Sequence, residues 1–488
     1  MVDIKRPQKP IPEHRISIPI GDVPWDILDE LSAQLDQDPI AGNCLDEELR
    51  KVLPRNFSAG GQALPGLIDL FRHGMAIGAR KSAHPGLFSH IGAPGLPTDP
   101  FAHALVAALN QNVVGFHASP LATRIENMLL EYFCRLAGMP EASGGLIVSG
   151  GSLANLSALT VALHHSLQWT AIENGISGAT QAIFVACDTA HFSVDRAART
   201  LGIGNQGICR IPADDKFCMR TDKLEETLDE ISRRKDRVTA CVIATAGTTA
   251  TGAIDPLDDI ATLCRKHGVW LHVDAAYGGG ALISPALAPR LKGIEHADSI
   301  IIDLHKWCYL ALAGSVLIYR DPALARKFWS SSSDYINLPD DNSNEHYTSF
   351  DLSVELSRRF RALPAYIALM HYGRKTLAAN LEYNVECANY LAALVTAHSE
   401  LQLLVSPQLS ILCFRYVSTD SILSPEEIDR INIAIIDKLS SAGSFLLSHT
   451  NVNKQPVLRV CIRSYTTSAE HLESLLETIV KLGRNMLR

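Results

Sequence analysis

The sequence lacks the features that mark several broad classes of protein. It contains no apolar run of about 18 residues and no apolar stretch near its start, so neither a membrane span nor a secretion signal is expected. Its eleven cysteines are scattered without a CxxC pair, which favours reduced thiols over disulfides or a zinc site. We therefore expect a cytoplasmic protein that binds no metal ion and no membrane.

An excess of basic residues is also missing. The formal net charge is −8 and no block of Lys and Arg stands out, so the sequence does not indicate a nucleic-acid-binding protein. The 488 residues are 47% hydrophobic and contain no internal repeat, which is typical of a large globular protein with about two to four domains.

Short apolar strands alternate with helices in the middle of the chain, as in βαβ units with a mostly parallel sheet. The expected strands are residues 182–186, 239–245, 270–273, 299–302 and 316–319. After the second strand, a helix is expected to begin with Asp255 as its N-cap and to end at Gly268. The loops that follow these strands should share one edge of the sheet.

The composition changes after residue 375 to that of a small α+β domain. It has predicted strands at residues 409–417, 445–448 and 457–462 and a predicted helix at 425–439. Two capping boxes, Ser424 with Glu427 and Thr467 with Glu470, are expected to begin helices.

The strand at residues 299–302 is followed by Asp303, His305 and Lys306. A lysine amine held between apolar walls, where such a strand ends, is poised to form a Schiff base with a carbonyl compound. The alternative is a lysine that extends from the sheet edge into water.

Three further features follow predicted strands. The turn Gly150-Gly151-Ser152 opens into a helix, whose free N–H groups suit a phosphate, although many such turns are only tight connections. His191 is either a structural histidine or a ring that stacks on a ligand. Asp274, in a run of small residues, is either a structural acceptor or the partner of a protonated ring nitrogen. Together with Lys306, these features describe a pyridoxal phosphate site.

The same residues carry a resemblance to a known family. The order Gly150-Gly151-Ser152, His191, HVDAAYGG from His272 and HKW from His305 resembles the fold-type-I pyridoxal phosphate enzymes. Specifically, it resembles the group II amino-acid decarboxylases, such as the aromatic amino-acid, histidine and glutamate decarboxylases. The resemblance implies a large α/β domain (98–375) with a mostly parallel seven-stranded sheet, a small C-terminal domain (376–488), and an N-terminal helical segment (1–97) that clasps a second subunit in a homodimer.

The resemblance also implies roles for individual residues. Lys306 would hold the cofactor, Asp274 would pair with the pyridinium nitrogen, and His191 would stack on the ring. Residues assigned to the rest of the cofactor are Ala276 on the other ring face, Gly150, Gly151, Ser152 and His305 at the phosphate, and Thr249 in support. Residues assigned to the substrate are His90 and Ile91, with Val114 and Phe116 reaching the pocket of the neighbouring subunit.

Two departures from the family pattern stand out. The usual Asn-Pro-His-Lys is here Asp303-Leu-His-Lys306, which leaves the role of Asp303 open. His90 and Ile91 stand where members with aromatic substrates have aromatic side chains, so the sequence favours decarboxylation without indicating an aromatic substrate.

Tyr335, in a polar loop, matches the family's lid tyrosine, which protonates the α-carbon after carbon dioxide leaves. An aldehyde synthase of the same family would carry Phe in place of this Tyr or Asn in place of His191. An aminotransferase and an inactive cofactor-fold binding protein are further alternatives. Because Tyr335, His191, Asp274 and Lys306 are all present, the sequence predicts decarboxylation of an L-amino acid to its amine.

Overall fold

The computed structural model describes residues 40, 46–53, 64–176, 180–330, 349–418 and 423–487. The chain divides into two compact units. The larger comprises Ile91–Val385 with Pro407–Leu409, and the smaller comprises Met1–His90, Glu386–Ser406 and Ser410–Arg488. Within the described ranges, no helix combines the length and the apolar character needed to cross a membrane.

The larger unit contains a seven-stranded sheet. Its strands are β1 (Gly144–Val148), β2 (Gln181–Cys187), β3 (Ile208–Ile211), β4 (Arg237–Thr245), β5 (Trp270–Asp274), β6 (Ser299–Asp303) and β7 (Ser315–Tyr319). They lie in the order β1-β7-β6-β5-β4-β2-β3. Only β7 runs antiparallel to its neighbours, so the predicted mostly parallel seven-stranded sheet is confirmed.

Helices flank this sheet. They are α3 (Asp99–Leu109), α4 (Pro120–Leu136), α5 (Gly151–Ser166), α6 (Ala171–Asn174), α7 (Ser193–Thr200), α8 (Thr221–Ser232), α9 (Leu257–His267), α10 (Pro322–Trp329) and α11 (Ala362–Ala397), which is interrupted at Gly373 and continues beyond Val385. β5 and β6 are buried along their whole length because helices and loops cover both faces, as the isoleucine-rich sequence of β6 predicts.

The direction of the strands gathers the loops that matter for function. β1, β2, β4, β5 and β6 all run the same way, so their carboxyl ends meet at one edge of the sheet. Ligands of open α/β sheets bind at this edge.

The smaller unit contains a four-stranded antiparallel sheet in the order β10-β11-β9-β8. Its strands are β8 (Leu401–Val405), β9 (Ile411–Tyr416), β10 (Ser448–Val452) and β11 (Gln455–Cys461), and its helices are α1 (Asp46–Val52), α2 (Leu64–Gly78), α12 (Pro425–Ala442) and α13 (Ala469–Met486). The N-terminal part joins this sheet through Phe88, whose N–H donates to the carbonyl of Leu446 and whose carbonyl accepts from Cys461.

Two predictions in the smaller unit are wrong. The strand predicted at 445–448 begins at Ser448 instead. The second capping box joins Ser468 with His471, because the hydroxyl of Thr467 is buried and donates to the carbonyl of Pro85 at 2.9 Å. The first box, Ser424 with Glu427, is confirmed.

Asp255 is not the N-cap of α9, which contradicts the prediction. Pro256 occupies that position, and the buried carboxylate of Asp255 accepts the N–H groups of Met219 at 2.6 Å and Thr245 at 2.7 Å. Gly268 ends the helix in a left-handed conformation, as predicted.

Candidate active site

A cavity of about 490 Å³ opens at the carboxyl edge of the large sheet. This volume lies in the range of small-molecule sites, about 300–1,000 Å³. All nine residues that the sequence assigned to a cofactor line it: Gly150, Gly151, Ser152, His191, Thr249, Asp274, Ala276, His305 and Lys306. The structure therefore brings together residues that lie up to 156 positions apart in the sequence, from Gly150 to Lys306.

One wall of the cavity is the start of α5. Gly150 has an extended backbone, and a Cβ atom there would meet nothing within 4 Å, so the approach to the helix start is open. A Cβ atom at Gly151 would lie 2.8 Å from Oδ1 of Asp303, so only glycine fits between the helix and that carboxylate. The first N–H groups of a helix have no partner within it and favour an anion.

Lys306 lies on the turn after β6, and its Nζ is 2.9 Å from Oδ2 of Asp303. Asp303 also accepts a hydrogen bond from the hydroxyl of Ser315. The residue that departs from the family pattern thus balances the charge of the lysine. His305, beside it, places Nδ1 3.2 Å from the carbonyl oxygen of Gly314.

Asp274 is a buried carboxylate without a cationic partner. Its Oδ1 accepts the N–H of Ala276 at 3.1 Å, and its Oδ2 accepts the side-chain amide of Asn155 at 2.9 Å. Within the described ranges, no ion pair reaches this carboxylate. An ionised carboxylate that faces a cavity with only neutral donors is suited to a cation supplied by the ligand, such as a protonated pyridine nitrogen.

His191 lies beside Asp274 in the cavity and is half-buried. Its Nδ1 is 2.8 Å from the hydroxyl of Ser193 and accepts the N–H of Ser193 at 3.2 Å. Burial lowers the pKa of His191, although the carboxylate of Asp274 acts in the opposite direction. The ring is therefore a neutral, flat surface at neutral pH.

Asn155 and Ser193 also line the cavity, and sequence reasoning missed both. Asn155 is an amide on a helix whose neighbouring side chains Ala154, Ala158 and Leu159 are buried and apolar. A polar side chain in such a helix needs a partner, and this was the available signal.

Two of the residues predicted to contact the substrate in this pocket do not line the cavity. Ile91 is absent from its walls, and His90 belongs to the smaller unit, where burial, Arg80, Arg463 and Arg459 lower the pKa of its imidazole. Val114 and Phe116, predicted to reach the pocket of a neighbouring subunit, do not line the cavity of their own subunit, and their role stays a prediction. Tyr335 lies outside the described residues.

Comparison with known proteins gives a consistent result. The model of the pyridoxal-dependent decarboxylase conserved domain matches residues 47–417. The aromatic-L-amino-acid decarboxylase of Bacillus atrophaeus is 29% identical over 452 residues, which is 92% of each chain. The L-2,4-diaminobutyrate decarboxylase of Rhizobium meliloti (strain 1021) is 31% identical over 414 residues, which is 85% of this chain and 80% of that protein.

The solved structures include a similar fold. The structure of Oryza sativa TDC with PLP and tryptamine has a TM-score of 0.89 at 24% identity, and the match covers 95% of this chain and 96% of that one.

Proposed function

This chain belongs to the pyridoxal-dependent decarboxylase family, and from that premise we propose that it converts an L-amino acid into the corresponding amine and carbon dioxide at the cavity around Lys306. Its cofactor is pyridoxal 5′-phosphate. The observation that carries the proposal is the arrangement of one lysine amine, one unpaired carboxylate and one helix start around a single cavity.

Each of these groups has a distinct task. Bound pyridoxal phosphate supplies an electron sink for the electron pair left behind when carbon dioxide departs. Nζ of Lys306 would hold the cofactor covalently, and the Asp274 carboxylate would keep a proton on the ring nitrogen. His191 and Ala276 would cover the ring from its two sides. These roles fit the burial of Asp274 and the positions of both ring-facing residues in the cavity.

The phosphate group would lie at the start of α5. The backbone N–H groups of this helix end and the hydroxyl of Ser152 would donate to it, with His305 and Thr249 in support. Asp303 holds the Lys306 ammonium at 2.9 Å until the cofactor binds.

The proton that completes the amine would come from Tyr335. An aldehyde synthase is the nearest alternative, because it uses oxygen when this proton is not delivered. We favour decarboxylation because both Tyr335 and His191 are present in the sequence.

The side chain of the substrate differs between the two relatives named above, which are an aromatic amino-acid and a diaminobutyrate decarboxylase. The test is therefore a screen of the twenty amino acids with ornithine, 2,4-diaminobutyrate and dopa, in which carbon dioxide and amine are measured together. Equal amounts of both products from at least one amino acid are expected. Formation of aldehyde with peroxide would indicate an aldehyde synthase, and formation of a 2-oxo acid would indicate an aminotransferase. Binding of the cofactor without turnover would indicate an inactive protein.

We also propose that the active form is a homodimer. Leu121 and Met128 lie seven residues apart on α4, on the same side of the helix, and are 63% and 41% exposed. Val354 and Leu356 in the same unit are 55% and 60% exposed. Exposed apolar side chains of this size favour a surface that a second subunit covers.

A further inference from the structure

A chain of buried polar side chains crosses the interior behind the cavity. It begins at Trp270, whose indole N–H donates to Oγ of Ser299 at 2.9 Å. Oγ of Ser299 is 2.8 Å from Nδ1 of His272, and Nε2 of His272 is 2.8 Å from Oδ1 of Asn155. Ser299 and His272 are fully buried, and Asn155 is 1% exposed, so water does not supply alternative partners.

The direction of every bond in this chain is fixed by chemistry. The indole of Trp270 can only donate, so Ser299 accepts from it and directs its single hydroxyl proton to Nδ1 of His272. Burial lowers the pKa of His272 to about 4, so the ring is neutral at neutral pH, and its one proton is on Nε2, facing Asn155. The oxygen of Asn155 is therefore the acceptor and its amide nitrogen faces the other way.

The chain divides at Asn155. One amide hydrogen donates to Oδ2 of Asp274 at 2.9 Å, and the other donates to Oγ of Ser193, also at 2.9 Å. Ser193 accepts there, while its backbone N–H donates to Nδ1 of His191 at 3.2 Å, so this ring nitrogen is unprotonated and also accepts from the Ser193 hydroxyl at 2.8 Å. Nδ1 of His191 is then an acceptor, and its ring proton must be on Nε2.

We propose that Asn155 is a positioning residue that couples the two ring-binding groups of the site: it aims the carboxylate of Asp274 and, by holding the hydroxyl of Ser193 against Nδ1, stabilises the neutral form of His191 that is protonated at Nε2. The inference rests on the proposed function, because Asp274 and His191 matter through the bound cofactor. Asn155 itself acts on both groups through its single primary amide.

Other charges also face His191. They are Asp274 at the end of β5, Asp303 and Lys306 after β6, and Arg196 on α7. Protonation of His191 at Nδ1 would require Ser193 to give up its donation to the ring. The hydrogen-bond chain therefore resists protonation, and once it is broken the nearby carboxylates should stabilise the protonated ring, so that the ring takes up a proton from solvent at a higher pH.

The first test is Asn155→Leu, which keeps the number and branching of the side-chain heavy atoms and removes both amide hydrogens. The cofactor-free variant should bind pyridoxal phosphate roughly tenfold to a hundredfold more weakly than the cofactor-free wild type, as expected when a charged group such as the Asp274 carboxylate loses a hydrogen bond. The acid limb of the kcat–pH profile should move to higher pH. In ¹⁵N spectra of the cofactor-free protein, the Nδ1 signal of His191, assigned by its loss in His191→Gln, should shift, because the Ser193 hydroxyl that donates to it is no longer held by Asn155.

The matched control is Asn432→Leu in the smaller unit. Asn432 is also fully buried and makes three hydrogen bonds, to the N–H and carbonyl of Tyr416 and the carbonyl of Ile428. Its loss should lower thermal stability but leave the cofactor affinity, the acid limb and the His191 signal unchanged.

Ser193→Ala breaks the branch from Asn155 to His191 and keeps the branch from Asn155 to Asp274. It also provides the test if Asn155→Leu does not fold. It should shift the acid limb and the Nδ1 signal of His191 while the affinity for pyridoxal phosphate stays within about threefold of the wild type, since the bond from Asn155 to Asp274 remains. A wild-type His191 signal and acid limb in either variant, or equal changes in Asn432→Leu, would overturn the inference. Failure of the wild type to release carbon dioxide would instead refute the proposed function, because the spectral and affinity measurements do not depend on turnover.

Discussion

Lys306 carries a charge that Asp303 balances at 2.9 Å in a largely buried place. If Lys306 is the point of covalent attachment, Lys306→Ala should remove the visible absorbance of the purified protein and leave no cofactor attached after borohydride reduction. Lys292→Ala is the control, since this lysine is exposed and pairs with Asp258 at 2.7 Å in the same unit. A borohydride-stable adduct in Lys306→Ala would refute the assignment.

Tyr335 lies outside the described residues, so its role stays a prediction from the sequence. Tyr335→Phe removes a proton donor while keeping the ring, so cofactor and substrate should still bind. Protonation of the α-carbon would then be slow, so that this carbon could react with dissolved oxygen instead. The products should therefore change from amine to aldehyde, ammonia and peroxide. The control is Tyr366→Phe, at a half-buried position on α11 that does not line the cavity. Unchanged amine yield and rate in Tyr335→Phe would remove Tyr335 from the mechanism.

At the level of single residues, the sequence predicted those site residues that lie where strands end. Lys306 and Asp274 stand where apolar strands end, and a charge at such a place is visible in the sequence. Asn155 was not found because it lies inside a helix, and its partners His272 and Ser193 come from distant parts of the chain. The role of Asp303 became visible only through its contacts with Lys306 and Ser315.

At the starts of two helices of the large unit, α3 and α9, buried carboxylates bind backbone N–H groups in different ways. Asp99 uses one oxygen, Oδ2, to accept the N–H groups of both Leu96 and Ala311. Asp255 uses one oxygen for Met219 and the other for Thr245. Burial raises the pKa of each carboxyl to about 6.

The two carboxylates should therefore respond differently to replacement by asparagine. Asp99→Asn keeps an oxygen for both N–H groups and should fold normally. Asp255→Asn turns its amide nitrogen toward a buried N–H group, and should cost about 1–3 kcal/mol of unfolding free energy. Thermal or urea unfolding at neutral pH measures the unfolding free energy of both variants. An equal loss of stability in the two variants would contradict the proposed effect of the hydrogen-bond geometry.

The pH dependence of Asp99→Asn follows from the raised pKa. The folded protein holds the Asp99 proton more tightly than the unfolded chain, so the wild type loses stability as pH rises from the ordinary value of 3.8 to about 6. The variant lacks this group. Its stability relative to the wild type should therefore increase between about pH 4 and pH 6 and level off above that range, with a total change of no more than ~2–3 kcal/mol.

Two strands of the large sheet, β1 and β3, were not predicted from the sequence, and each omission has a physical reason. β1 begins with Gly144 and Gly145, which suggest a turn, but a Cβ atom at Gly145 would lie 1.8 Å from the carbonyl oxygen of Leu317 on β7. Glycine there permits close packing of two strands. β3 is a partly exposed edge strand of four residues, too short for a clear alternation of apolar and polar side chains.

For the molecule as a whole, the alternation of strands and helices predicted the large sheet because parallel strands require crossover helices. The described N-terminal residues do not form a unit of their own but bind to the C-terminal part of the smaller unit. Phe88 hydrogen-bonds to Leu446 and Cys461, and Ile40 donates to the carbonyl of Gly443, so both belong with the C-terminal sheet. Such contacts join residues hundreds of positions apart, and no local pattern in the sequence reports them.

The homodimer should be visible as a mass twice that of the chain at micromolar concentration, by sedimentation or light scattering. Leu121→Glu combined with Met128→Glu places two charges on the exposed side of α4 and should shift the protein toward the monomer. Ile433→Glu, at a 38% exposed position on α12, is the control and should remain dimeric. A fully active monomeric wild type would contradict the proposal.

A dimer in which each subunit completes the other's pocket makes a stronger prediction, which concerns Phe116. If Phe116 serves the neighbour, Phe116→Ala should impair turnover, and a mixed dimer of Lys306→Ala and Phe116→Ala subunits should contain one intact site. That site would combine Lys306 of one subunit with Phe116 of the other. Co-expression of the two variants with different affinity tags allows the mixed dimer to be isolated, and its activity should approach about half that of the wild type, because one of its two sites is complete. If Phe116 serves its own subunit, neither site is complete, and the activity should not exceed half of that shown by the Phe116→Ala homodimer.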